Sequence, residues 1–161
     1  MVIIIIGAAG AGKTTVGRGL AAALGWPFVD ADDQHPARNI EKMRAGVPLT
    51  DTDRGPWIAT LRAMVERAID RREHTALACS ALKERDRHTL RDDLRPVRFV
   101  YLRADRGLLE QRLAARPSHF FGPALVSSQL ADLEEPADAL IVDAAWSVEQ
   151  ILPAIRHEFG V

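Results

Sequence analysis

The sequence predicts an α/β fold, a five-stranded parallel sheet flanked by helices, and three observations carry that expectation. Five short β-rich apolar runs alternate with segments of helical period. The runs are hydrophobic almost without interruption, as strands covered on both faces must be. The first of them passes without a gap into a glycine-rich turn that opens a helix, Gly7-Ala8-Ala9-Gly10-Ala11-Gly12-Lys13-Thr14, which is the context of an anion-binding strand-to-helix connection.

Val2 to Ile6 is the first strand, and residues 7 to 14 spell a complete G-x-x-x-x-G-K-[ST] phosphate loop. Glycines let successive backbone N–H groups turn inward around phosphates, Lys13 reaches the β- and γ-phosphates, and the Thr14 hydroxyl can ligate Mg²⁺. Alanine at variable positions is compatible with this, because the loop works through its backbone. The candidate nucleotide-binding residues are therefore Gly7, Ala8, Ala9, Gly10, Ala11, Gly12, Lys13, Thr14 and Thr15, and the expected ligands are a nucleoside triphosphate and Mg²⁺.

The second strand, Phe28 to Val29, runs into Asp30-Ala31-Asp32-Asp33-Gln34-His35-Pro36. Carboxylates thus stand at the C-terminal edge of a strand, where open parallel sheets bind ligands. In a phosphotransferase one such carboxylate accepts or orients the proton of the attacking hydroxyl, while a neighbour holds the water shell of Mg²⁺. The alternative is that Asp32 and Asp33 cap a helix opening at Pro36. The polar, Gly/Pro-punctuated stretch from Ala45 to Gly55 reads as a mobile loop, with Asp51 and Asp53 ordering it through Asx-type turns.

Trp57, Ile58, Leu61, Met64, Val65, Ala68 and Ile69 form one helical stripe, with Pro56 in its first turn. The third strand, Thr75 to Cys79, ends in Cys79-Ser80 without the aspartate of a Walker-B site. Mg²⁺ would then lean on Thr14, the phosphates, water and the Asp30/Asp32 pair. Cys79, Trp26 and Trp57 read as packing residues. Val97 to Leu102 is the fourth strand; Leu108, Leu109 and Leu113 mark the next helix, and Arg116 to Pro123 is a second expected mobile loop. Leu140 to Val142 is the fifth strand, and Asp143 to Trp146 is the loop that follows it. The last helix, carrying Val148, Ile151, Leu152, Ile155 and Phe159, opens with a Ser147-x-x-Gln150 capping box. Pro153 conflicts with it and predicts a kink or a later start.

At 161 residues the chain has the size of one domain, 1–161. A net charge of -1 offers no general field for nucleic acid or an anionic membrane. The single cysteine suits a reducing compartment. The apolar N-terminus is too short for a signal peptide, and no apolar run approaches the ~20 residues of a membrane span. The expectation is a cytoplasmic protein acting on a small molecule.

The stretch D-A-D-D-Q-H-P-A-R-N-I-E-K-M-R-A-G-V-P-L-T-D-T-D-R-G-P-W, Asp30 to Trp57, resembles the gluconate kinases, which show D-x-D-x-x-H-P-x-x-N-I-x-K-M-x-x-G-x-P-L-x-D-x-D-R-x-P-W. Cys79-Ser80-Ala81-Leu82-Lys83 and Arg112-Leu113-x-x-Arg116-x-x-His119-Phe120-Phe121 agree in order and spacing. The resemblance implies a doubly wound P-loop NTPase fold of the nucleoside-monophosphate-kinase type, related to shikimate kinase, with a lid at about residues 112–123. It also implies a homodimer, and transfer of the ATP γ-phosphate to the 6-hydroxyl of D-gluconate to give 6-phospho-D-gluconate and ADP. Carried over by motif, Asp32 orients or deprotonates the hydroxyl and Asp30 stands near the metal, or the two roles are exchanged. His35, Arg38, Arg54 and Lys83 are candidate ligands of the sugar acid. Arg116 and then Arg112 are candidate lid cations for the transferring phosphoryl group, although Arg112 could equally make a helix contact. His119 touches substrate or anchors the lid. The rival readings are a kinase of shikimate or another aldonate, and a nucleotide-gated module without transferase activity.

Overall fold

The structure is a computed structural model that describes residues 1–91, 93, 96–115 and 123–161. Its five strands are β1 (Val2–Ile6), β2 (Phe28–Asp30), β3 (Thr75–Ala78), β4 (Val97–Arg103) and β5 (Leu140–Asp143), all parallel in the order β2-β3-β1-β4-β5. Every residue of β1 is buried, because the strand sits at the centre with helices on both faces. Each strand lies within a residue of its expected bounds.

The alternating side chains of β1 feed two cores. Ile3 and Ile5 pack with Val16 and Leu20 of α1 (Lys13–Leu24) and with Ile151 and Ile155 of α7 (Val148–Phe159). Ile4 and Ile6 face the opposite way, onto Trp57, Leu61 and Val65 of α3 (Asp51–Asp70) and Leu90 of α4 (Glu84–Arg91). The remaining helices are α2 (Ala37–Arg44), α5 (Arg106–Ala114) and α6 (Pro123–Asp132), with a 3-10 turn at Ala31–Gln34. Among the described residues no helix is long and apolar enough to cross a membrane.

Several expectations need correction. The stretch from Ala45 to Gly55 is loop only as far as Thr50, because Thr50 and Asp53 form a reciprocal capping box that starts α3 at Asp51. Pro56 therefore lies inside α3 rather than at its first turn, and Asp53 caps and pairs with Lys42 at 2.8 Å instead of making an Asx turn. Asp32 and Asp33 do not cap α2, whose N-cap is Pro36; it is Asp30 whose carboxylate accepts the Asp32 N–H and caps the 3-10 turn. Finally, α7 runs from Val148 through Pro153 without a later start. The Ser147/Gln150 box and the buried Ile151 and Ile155 outweigh the one backbone hydrogen bond that proline removes.

Candidate active site

The site gathers where β1 and β2 end, at the C-terminal edge of the sheet. Gly10 has φ +87, and a Cβ there would stand 3.1 Å from the Leu109 carbonyl oxygen; Gly12, the N-cap of α1, has φ +101. These two positions need glycine, since other residues are strained at such angles. Ala8, Ala9 and Ala11 of the loop are buried. Lys13 Nζ donates to the Ala8 carbonyl at 3.1 Å, and Thr15 is exposed on the first turn of α1. Thr14 Oγ1 donates to Asp30 Oδ2 at 2.8 Å, and Asp30 Oδ1 accepts the Asp32 N–H at 3.2 Å. A hydroxyl whose proton is held by Asp30 keeps its lone pairs for a cation. This all-oxygen set fits Mg²⁺, a hard cation that retains much of its water and leans on substrate phosphates.

Asp32 lines one cavity with Gly10, Gly12, Lys13 and Thr14. Its side chain is open to that cavity by surface area, yet protein on its other sides removes enough water to raise its pKa above the usual carboxylate value. The Lys13 ammonium opposes that rise, and the Asp30 and Asp33 charges add to it. A carboxylate so placed is a better proton acceptor than a solvated one.

His35 lines the same cavity and is 8% exposed. Its ring stacks on Trp57 at 4.2 Å and 15°, and Trp57 Nε1 donates to the Ala31 carbonyl at 2.7 Å. Burial pushes the imidazole pKa down to about 4, so the ring is neutral at pH 7. Asn39 decides its tautomer. The Asn39 amide gives one Nδ2 proton to the Asp53 carbonyl at 2.9 Å, which fixes the amide orientation. Its other proton meets His35 Nδ1 at 3.3 Å. Nδ1 is therefore the acceptor, and His35 carries its proton on Nε2 as a neutral donor.

Arg54, Lys83, Asp86 and Asp132 also line the cavity. Arg54 Nη1 bonds Asp132 at 3.2 Å and Nη2 bonds Asp51 at 2.6 Å, while its buried Nε has no hydrogen-bond partner among the described residues. Lys83 pairs with Asp51 at 3.1 Å and Asp132 at 3.4 Å. Hydrogen bonds from Arg85, Arg54 and Lys83 hold the Asp51 carboxyl well below the usual range. Burial raises the pKa of Asp86, against the pull of Arg54 and Arg85. The loop that presents Lys83 contains Ala81 at φ +35, and the buried Arg87 clamps it by donating to the Ala81 and Leu82 carbonyls at 3.1 and 2.7 Å.

The structure thus brings together Lys13, Thr14, Asp30, Asp32, His35, Arg54 and Lys83, of which all but Asp30 line the cavity. Arg38 is exposed on α2 and lies outside that lining. Arg112 is on the other side of the phosphate loop, donating to the Ala11 carbonyl at 3.1 Å and the Ala144 carbonyl at 2.8 Å. It ties the loop to the segment after β5 rather than making a contact along its own helix. Arg116 and His119 lie outside the described residues. Sequence reasoning passed over Asn39, Asp86, Gln129 and Asp132. Asn39 is a fixed letter of the Asp30 to Trp57 motif and stands four residues after His35; for the others the one signal was spacing, Asp86 three after Lys83 and Asp132 three after Gln129.

Residues 2–139 match the family described as an AAA domain. The gluconokinase of Gluconobacter oxydans (strain 621H) is 44% identical over 136 residues, which cover 84% of this chain and 76% of that protein. Among solved structures, a gluconokinase from Sinorhizobium meliloti 1021 superposes with a TM-score of 0.83 at 38% identity, covering 94% of this chain and 87% of its own. Shikimate kinase from Aquifex aeolicus vf5 has a TM-score of 0.69 at 16% identity, covering 99% of this chain and 96% of its own, and so shares the P-loop kinase fold alone. The strand order, the phosphate loop and these likenesses agree, and the chain belongs to the gluconokinase family.

Proposed function

We propose that this chain is an ATP-dependent gluconokinase, transferring the γ-phosphate of ATP to the 6-hydroxyl of D-gluconate. The observation that carries the reading is one cavity lined by Lys13, Thr14 and Asp32 and also by His35, Arg54 and Lys83. Such a lining offers groups for a phosphate donor and for a polyhydroxylated carboxylate in one space. Bound Mg·ATP supplies the electrophilic phosphorus and part of the charge neutralisation.

The chain's own residues do the rest. Backbone N–H groups of the phosphate loop, apart from those of Ala9 and Ala11, and the Lys13 ammonium hold the phosphates, and Thr14 would hold the metal with Asp30 behind it. Asp32 accepts the proton of the 6-hydroxyl as its oxygen forms the new bond to phosphorus and the bond to the β,γ-bridging oxygen breaks. His35, as a neutral Nε2 donor, bonds a hydroxyl of the acceptor, and Arg54 with Lys83 engages its carboxylate. Arg112, with Arg116 from the lid at about 112–123, supplies cationic charge near the phosphates, and His119 belongs to the same segment. The reading includes one kinase domain over 1–161, a homodimer and a cytoplasmic location.

The test is turnover. Purified protein with Mg·ATP should phosphorylate D-gluconate with kcat/KM at least tenfold above shikimate and other aldonates. A preference for shikimate, or ADP release independent of any acceptor, overturns the assignment.

A further inference from the structure

Helix α6 contributes to the cavity, and one of its lining residues touches the phosphate loop. Gln129 Oε1 accepts the backbone N–H of Ala9 at 2.7 Å. Because an N–H can meet only the oxygen of a side-chain amide, this bond fixes the amide orientation: Oε1 is on the loop, and the two N–H donors of Nε2 are on the other branch. Gln129 and Ala9 both line the cavity shared by Lys13, Thr14 and Asp32. One turn further along the same helix face, Asp132 bonds Arg54 and Lys83. Helix α6 therefore reaches both groups, with Gln129 at the phosphate loop.

A phosphate loop works by turning N–H groups toward phosphate oxygens. The N–H of Ala9 is spent on Gln129, so at this point of the rim the donor is handed on: the loop gives one N–H to the amide, and the amide adds two of its own to the lining of the cavity that holds Lys13, Thr14 and Asp32. That cavity is where the transferred group must pass from one bound molecule to the other. We infer that Gln129 is a phosphoryl-contacting residue, whose Nε2 donates to a non-bridging oxygen of the γ-phosphate and whose Oε1, held by Ala9, aims it. The inference rests on the kinase reading above and adds a residue to it. A preorganised donor of this kind strengthens as charge spreads over the equatorial oxygens in the transition state.

The contact requires a γ-phosphate, so the decisive readout is the difference between two nucleotides, measured with Mg²⁺ and without any acceptor. Gln129→Glu keeps an oxygen for the Ala9 N–H and replaces the donor with a negative oxygen. It should bind ADP within twofold of wild type and bind the β,γ-imido analogue of ATP about 10- to 100-fold more weakly, the range for losing a hydrogen bond to a charged group. In ¹⁵N-labelled wild type, the Gln129 side-chain NH₂ signal should move on adding the imido analogue and remain in place with ADP, a measurement that does not depend on the variant folding. Equal loss of both nucleotides in the variant, no loss of either, or an unmoved NH₂ signal with the analogue overturns the inference. Failure of wild type to phosphorylate gluconate would strike the acceptor assignment alone, since none of these measurements contains the sugar acid.

Discussion

The buried neutral His35 makes stability depend on pH in a calculable way. Its pKa is about 4 in the folded chain against 6.5 for an unperturbed imidazole, and a full change over that interval is worth about 3 kcal/mol at 1.36 kcal/mol per pH unit. The sign follows from proton counting: between these values the unfolded chain binds a proton that the folded chain refuses, so stability rises with pH and is lost as pH falls from 6.5 toward 4. At pH 5 the loss has reached about 2 kcal/mol, and at pH 7.5 it is about zero. His35→Gln removes the titrating group, and whatever it costs in stacking on Trp57 is independent of pH. Urea unfolding of both proteins at pH 7.5 and pH 5 should therefore show wild type losing about 2 kcal/mol more than the variant between the two conditions. Identical pH dependence in the two proteins would refute the assignment of His35 as a neutral donor held by burial.

Three further outcomes are expected. Trp57→Phe keeps an aromatic ring against His35 but leaves the Ala31 carbonyl without its indole donor, so unfolding free energy should fall by about 1–3 kcal/mol; unchanged stability would show that this bond carries nothing. Asp32→Asn preserves shape and removes the basic oxygen, so kcat should fall about 10²- to 10⁴-fold with little change in ATP affinity, and undiminished turnover would exclude Asp32 as the proton acceptor. Arg54→Ala should raise the gluconate KM about 10- to 100-fold while leaving the ATP KM in place; a selective loss of ATP binding would move Arg54 to the nucleotide site.

Sheet and phosphate loop were legible in the sequence because their signals are local. Val2 to Ile6 is uninterrupted and meets glycines at the spacing that a phosphate requires, so strand, loop and helix start could be read from a dozen residues. The start of α3 was missed because Thr50 and Asp53 lie in a polar stretch with glycine and proline nearby, and the reciprocal cap that wins there involves only four residues. Pro153 does not delay the start of α7, since the burial of Ile151 and Ile155 is a tertiary effect that propensity does not contain. At the site, Asp32, His35, Asn39, Arg54 and Lys83 sit in motif blocks, but Asn39 acts through the tautomer of another side chain, which its letter in the motif does not reveal. Gln129 acts through a backbone group 120 residues away, a relation that leaves no mark in one-dimensional spacing.

Arg54 and Lys83 already share Asp51 and Asp132, and this changes what recognition of an acidic guest amounts to. Such a corner is electrically settled before anything arrives, so an incoming anion gains little from attraction at a distance and must trade places with resident carboxylates bond for bond. Simple salts such as chloride or sulfate, which cannot reproduce those directional contacts, should compete poorly. Selectivity in that corner is then a matter of fit during an exchange of partners, with net charge contributing almost nothing.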